Sequence, residues 1–191
     1  MEIKSVKKLT DYKHLNLFSI NYQDRENCGK KWIFSSRSKY LNPLEKKHTN
    51  PDAVVIVPLH VQEKKLVLIK EFRVCLGGYQ FGFPAGLVDR GETVTQAGKR
   101  ELYEETGLSV TKVLKKSPAV FSSSGMTDES VSLLFVQCRG KPTNRFNETS
   151  EDIQTIMLSR ENAEDLLSDT NTKFDVKSWI ILNTFASCVV I

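Results

Sequence analysis

A chain of 191 residues, 40% apolar and 26% charged, fits one globular domain with a small appendage. Its net charge of +4 is spread along the chain rather than gathered in a stripe with interleaved aromatics, which excludes the usual nucleic-acid-binding pattern. No apolar run approaches a membrane span, and "MEIKSVKKLTDYK" lacks the apolar core of an export signal, so a cytoplasmic protein with no membrane partner is expected.

The first elements are two strand-like runs, "LNLFSINYQD" and "KKWIFSSRSKY", joined by the turn-rich "RENCG". The stretch "LNPLEKKHTNPD" reads as a connector, dividing a small N-terminal antiparallel β-domain (1–48) from a main domain (49–191). The main domain opens with the strands "AVVIVPLHV" and "KLVLIKEF", separated by "QEKK". After Gly77-Gly78 and "YQFGFPAG" comes a helix. Thr93 or Thr95 is its N-cap, and Gly107 is its left-handed C-terminal glycine.

Strands return at "VTKVLKK", "SVSLLFVQC" and "IQTIMLS". A short helix near 160–168 follows, and "WIILNTFASCVVI" belongs to a terminal core helix near 175–188. The order lacks a regular strand–helix alternation and predicts an α+β fold, with helices on a mixed sheet. Cys28, Cys75, Cys138 and Cys188 lack the paired spacing of a zinc site, and reduced thiols are expected.

The helical stretch within residues 91–107 gathers the carboxylates. Glu101 and Glu105 lie one turn apart on one face, and Glu104 borders them. Like charges at these spacings repel by a few tenths of a kcal/mol per pair, on the order known for helix surfaces. Either a cation occupies the site or the face is simply solvated. Arg100 stands four residues before Glu104 and can hold it, and Glu92 in the preceding loop can pin Arg100 from the other side. "PAG" adds a backbone carbonyl at Ala85 and a close backbone approach at Gly86. Hard oxygen ligands of this kind suit Mg²⁺ or Mn²⁺ completed by phosphate oxygens.

From Gly86 the chain reads "GLVDRGETVTQAGKRELYEETGL", which resembles the Nudix box at Gly86, Glu92, Arg100, Glu101, Leu102, Glu104, Glu105, Gly107 and Leu108. The resemblance implies the Nudix fold, a mixed sheet between helices. It also implies Mg²⁺-dependent hydrolysis (Mn²⁺ as substitute) of a nucleoside diphosphate linked to another group. By the same resemblance Glu101 and Glu105 are metal ligands, Glu104 is shared or adjacent, the Ala85 carbonyl is a further ligand, and Arg100 and Glu92 hold the helix against its loop.

The flank "IKEFRVCLGGYQFGFPAGLVD" is similar to the ADP-ribose pyrophosphatase branch of that family. This implies a diphosphate contact for Arg73, with guanidinium forks as the physical reason. It also implies a homodimer that exchanges N-terminal β-domains, Trp32 stacking on the base, and Arg37 facing the substrate. "SSSGMTDE", with Met126 and Glu129, resembles the loop closing over the terminal ribose. By the same resemblance the acidic stretch "RFNETSEDIQTIML" is expected to supply the general base, Glu151 first and Glu148 second.

The chain departs from the branch at Ser124, where a proline is usual, and at Gly82, where a glutamate is frequent. The leading expectation is ADP-ribose cleaved to AMP and ribose 5-phosphate. GDP-mannose or a broader nucleotide-sugar range is the alternative. A nucleotide sensor without hydrolysis is a third reading, but such modules lose box carboxylates and none is lost here.

Overall fold

The computed structural model describes residues 1–39, 41–45 and 50–187. The strands are β1 (Glu2–Lys8), β2 (Asn16–Gln23), β3 (Gly29–Ser36), β4 (Ala53–His60), β5 (Lys65–Arg73), β6 (Gly78–Gly82) and β7 (Ala85–Leu87). Helix α1 (Val94–Thr106) follows, then β8 (Ser109–Lys116), β9 (Val120–Phe121), β10 (Ser130–Arg139) and β11 (Ile153–Leu158). Helices α2 (Arg160–Ser168) and α3 (Val176–Ala186) end the described chain. The boundary expected at 48–49, Cys188 and the last residue of the predicted terminal helix lie outside the described residues.

The chain divides into two compact units. One joins residues 1–52 to 118–131. Its sheet runs β1-β2-β3, antiparallel throughout. The predicted turn between β2 and β3 is built by Asp24, whose carboxylate accepts from the Glu26 and Cys28 amides at 2.9 Å each, with Asn27 at φ 61°. Phe18 and Phe34 face each other in register, with ring centroids 5.8 Å apart and both rings buried. Strand β1 is absent from the sequence reading, because "EIKSVKK" is mostly charged and polar. It is an almost wholly exposed strand at the edge of the sheet, where such residues belong.

The other unit holds residues 53–117 and 132–191. Its sheet runs β11-β5-β4-β10-β8, with β6 added to β5 and β7 to β4. Most neighbours are antiparallel. The bonds Asp52 N–H to Ser130 O (2.8 Å) and Val61 N–H to Cys138 O (3.0 Å) climb together, so β4 and β10 run parallel and the sheet is mixed.

One face buries Val54, Ile56, Val67, Leu134 and Val136 against Ala97 and Leu102 of α1. Each large apolar side chain there contributes on the order of 1.5–3 kcal/mol. On the other face Val57, Leu66 and Phe135 line a cavity of about 610 Å³ with Arg160 of α2 and Phe185 of α3. The sheet therefore lies between helices, the predicted α+β arrangement. Among the described residues no helix is long and apolar enough to cross a membrane.

Candidate active site

Helix α1 is bounded by local signals. Thr93, not Thr95, is the N-cap. Its hydroxyl accepts from the Gln96 amide at 3.3 Å, and the Gln96 side chain accepts from the Thr93 amide at 2.9 Å. Gly107 ends the helix at φ 71°, and its amide donates to Tyr103 O at 2.8 Å. Between these ends the buried side of α1 carries Ala97, Leu102 and Thr106, together with the Glu105 carboxylate.

Arg100 gathers the polar side. Its guanidinium donates to Glu92 (Nε to Oε1, 3.1 Å; Nη2 to Oε2, 2.9 Å), to Glu101 at 2.7 Å, to Glu104 at 3.1 Å and to the Leu87 carbonyl at 3.0 Å. These bonds hold Arg100 firmly protonated, and they hold the Glu92 carboxyl below the usual carboxylate range. The loop 87–92 and α1 are thereby fastened together. The Leu87 carbonyl is one partner that sequence reasoning missed, since nothing in a leucine marks its backbone oxygen.

Glu101 and Glu105 lie deeper. The Glu101 carboxylate lies so close to Gly86 that any Cβ there would collide with it and displace it from this place. Glu105 is 5% exposed and accepts from the Ala85 amide at 3.1 Å. Burial pushes its carboxyl up to about 9, reinforced by the nearby charges of Glu101, Glu71 and Glu151 and opposed by the Ala85 hydrogen bond. Glu101 is shifted upward too, chiefly by burial, with Arg100 opposing.

The sequence reading passed over Glu71. It stands two residues before Arg73, and alternate residues of a strand share a face. Its carboxylate accepts from Arg73 Nη1 at 2.6 Å, and its charge acts on Glu105. Arg73 is thus tied to a carboxylate that senses Glu105. Glu151 lies within electrostatic reach of Glu101 and Glu105, and its carboxylate accepts from the Glu148 amide at 2.9 Å.

Among the described residues no three His, Cys, Asp or Glu side chains are drawn tightly enough together to hold a metal ion as they stand. The donor set nevertheless fits a hard divalent cation. It is all oxygen, and a buried carboxylate beside three others ionises readily only next to positive charge.

In the other unit Arg37 and Glu129 form an ion pair at 3.1 Å. Met126 contributes its carbonyl to the Ser35 amide at 2.8 Å, and Ser36 donates to Asp128 at 2.9 Å. The 122–129 loop is therefore fastened along the end of β3. Trp32 is 48% exposed, two residues before the buried Phe34 on the same face. A Cβ at position 82 would stand at ordinary contact distance, 3.4 Å, from an oxygen of Asp175, the N-cap of α3.

The family model described as NUDIX domain matches residues 49–180. An ADP-ribose pyrophosphatase of Saccharomyces cerevisiae is 33% identical over 147 residues, 72% of this chain and 58% of that protein. ADP compounds hydrolase NudE of Escherichia coli is 44% identical over 80 residues, 39% of this chain and 42% of that protein. The matches thus span less than two thirds of these curated relatives. A crystal structure of an ADP compounds hydrolase has the same fold, with TM-score 0.71 and 22% identity over 98% of this chain and 96% of that one.

Proposed function

Because the chain belongs to the NUDIX domain family, we propose that it is a divalent-metal-dependent hydrolase of nucleoside diphosphate sugars, with ADP-ribose the first substrate and AMP and ribose 5-phosphate the products. The observation that carries this reading is the pair of recessed carboxylates, Glu101 and Glu105, beside an Arg100 that is tied to Glu92. The names of the yeast and bacterial relatives support the substrate class.

Glu101 and Glu105, with the Ala85 carbonyl and the adjoining Glu104, would hold Mg²⁺, or Mn²⁺ in its place. When bound, the cation supplies neutralisation of the diphosphate and a more acidic water. Arg73 pairs with diphosphate oxygens through its fork, exchanging Glu71 for the substrate. Glu151 takes the proton of the attacking water, and Glu148 is the second candidate. Arg100 and Glu92 keep α1 and its loop in one geometry. Gly86 lets the backbone come close. Trp32 stacks on the base, and Arg37, Met126 and Glu129 serve the sugar, in a homodimer that exchanges N-terminal units.

Gly82 favours a second reading within the same chemistry. Lacking the carboxylate frequent at that position, the site would accept a wider range of ADP compounds or another nucleotide sugar. The test is a panel of ADP-ribose, GDP-mannose, UDP-glucose, NADH, diadenosine polyphosphates and 8-oxo-dGTP with Mg²⁺, products resolved by chromatography. AMP released fastest from ADP-ribose supports the first reading. A different winner transfers the substrate. No cleavage with Mg²⁺ or Mn²⁺, combined with tight nucleotide binding, overturns hydrolysis altogether.

A further inference from the structure

Tyr103 occupies the position of the box that the motif leaves free, between Leu102 and Glu104. Its ring stacks on Phe146, with centroids 4.7 Å apart and planes inclined by 28°. Phe146 opens the acidic stretch 146–151. Five hydrogen bonds define that stretch. Upstream, the Thr143 amide donates to Thr106 O at 2.9 Å, at the C-terminal end of α1. Downstream, Asp152 is held to β5 and β6: its carbonyl accepts from the Phe72 amide at 3.0 Å, and its carboxylate accepts from the Tyr79 hydroxyl. Between these anchors Glu148 and Glu151 close a turn on each other, amide to carbonyl at 3.0 Å and amide to carboxylate at 2.9 Å.

One feature opposes docking of this loop. Both polar atoms of the Asn147 side chain are buried without a hydrogen-bond partner among the described residues. The neighbouring aromatic pair acts in the other direction, since stacked rings attract one another beyond their buried area. Between the Thr143 and Asp152 anchors, the Tyr103–Phe146 stack joins the side chains of the loop to α1.

We infer that Tyr103 and Phe146 are a positioning pair, which pins the acidic loop to the carboxylate helix and so sets Glu151 at working distance from Glu101 and Glu105. This rests on the reading of Glu151 as the general base. Neither aromatic touches the reacting atoms in that reading. Truncating either removes the side-chain contact between loop and α1 and lets the base shift, and misplacement of a reacting group by about 1 Å lowers turnover about 100-fold.

The experiment compares Phe146→Ala, Tyr103→Ala, Phe146→Tyr and Tyr103→Phe, each alone and Phe146→Ala also in a Glu151→Gln background. Steady-state kinetics are read with ADP-ribose and Mg²⁺, and binding of Mn²⁺ alone is followed by electron paramagnetic resonance. Both alanine variants are expected to lose roughly 10–100-fold in kcat with little change in KM. The aromatic exchanges restore the rate, Mn²⁺ binding is unchanged, and Phe146→Ala adds nothing once Glu151 is Gln.

A full further loss in the Gln background, weakened Mn²⁺ binding, or parental kcat in both alanine variants overturns the inference. The two readings fail distinguishably. Parental kcat in Glu151→Gln overturns Glu151 as base and, with it, the role of the pair in setting that residue. An inactive Glu151→Gln with parental kcat in both alanine variants overturns the pair alone.

Discussion

Arg100 grips Glu92 with two near-parallel hydrogen bonds, 3.1 and 2.9 Å long, while the far side of the same guanidinium holds Glu101 and Glu104. A planar fork with five donors can serve all of these at once, and a lysine cannot. Arg100→Lys is expected to lower stability by about 1.5–3 kcal/mol, the range for hydrogen bonds to charged groups, and to lower kcat as α1 loosens from its loop. Glu92→Gln keeps part of the fork and should lose less. Urea unfolding of both single variants and the double variant checks this: the double should cost far less than the sum, because the two residues share one interaction.

Glu105 predicts how stability follows pH. Its folded carboxyl is pushed up to about 9, from the ordinary value of 4.5, so the folded protein holds a proton that the unfolded chain releases. That stability is fully present below pH 4.5 and is lost as pH rises to about 9. Metal binding needs the ionised form, so the gain in Tm on adding Mg²⁺ to protein in EDTA should grow from pH 6 to pH 8. Glu105→Gln should flatten the EDTA profile and abolish that growth. An EDTA profile that rises across this window would contradict the assignment.

Gly86→Ala tests the close approach of Glu101. The added methyl collides with the carboxylate, which must leave its place. Overpacking of this kind costs about 1–3 kcal/mol, so the variant should fold while losing Mn²⁺ affinity and most of its turnover. Normal Mn²⁺ affinity in a folded Gly86→Ala protein would show that Glu101 needs no such proximity.

Trp32 and Arg37 carry the proposal about the base and sugar. Stacking of a base on indole is worth about 1–3 kcal/mol, so Trp32→Ala should raise KM for ADP-ribose roughly 5–150-fold with little loss of stability. The Arg37–Glu129 pair is partly exposed, and separating it should cost no more than about 1 kcal/mol of stability. Kinetics on Arg37→Ala and Glu129→Ala decide whether either residue matters beyond holding the 122–129 loop. Unchanged KM in all three variants would confine the substrate determinants to the unit that carries α1.

Much of this was legible in the chain, and the limits have physical causes. Helix α1, its glycine stop and the Arg100–Glu92 link follow from residues close in sequence, where spacing fixes geometry. Thr93 and Thr95 were both adequate caps on paper; Gln96 three residues on selects Thr93 by reciprocating its hydrogen bond. Strand β1 was illegible because an exposed edge needs no apolar alternation. Glu71 was visible in principle through its i,i+2 relation to Arg73, but its effect on Glu105 depends on the fold bringing β5 beside α1. The pairing of Arg37 with Glu129 spans 92 residues and has no local signal at all.

The capping of α1 has a consequence for how such proteins change. A helix whose first and last residues are set by its own neighbours keeps the Glu101–Glu105 spacing whatever loops are attached to it. Drift in those loops then alters which molecule is received without disturbing the spacing of the helical carboxylates. The carboxylate spacing and the choice of substrate can be inherited separately, one in thirteen helical residues and the other in the segments around them.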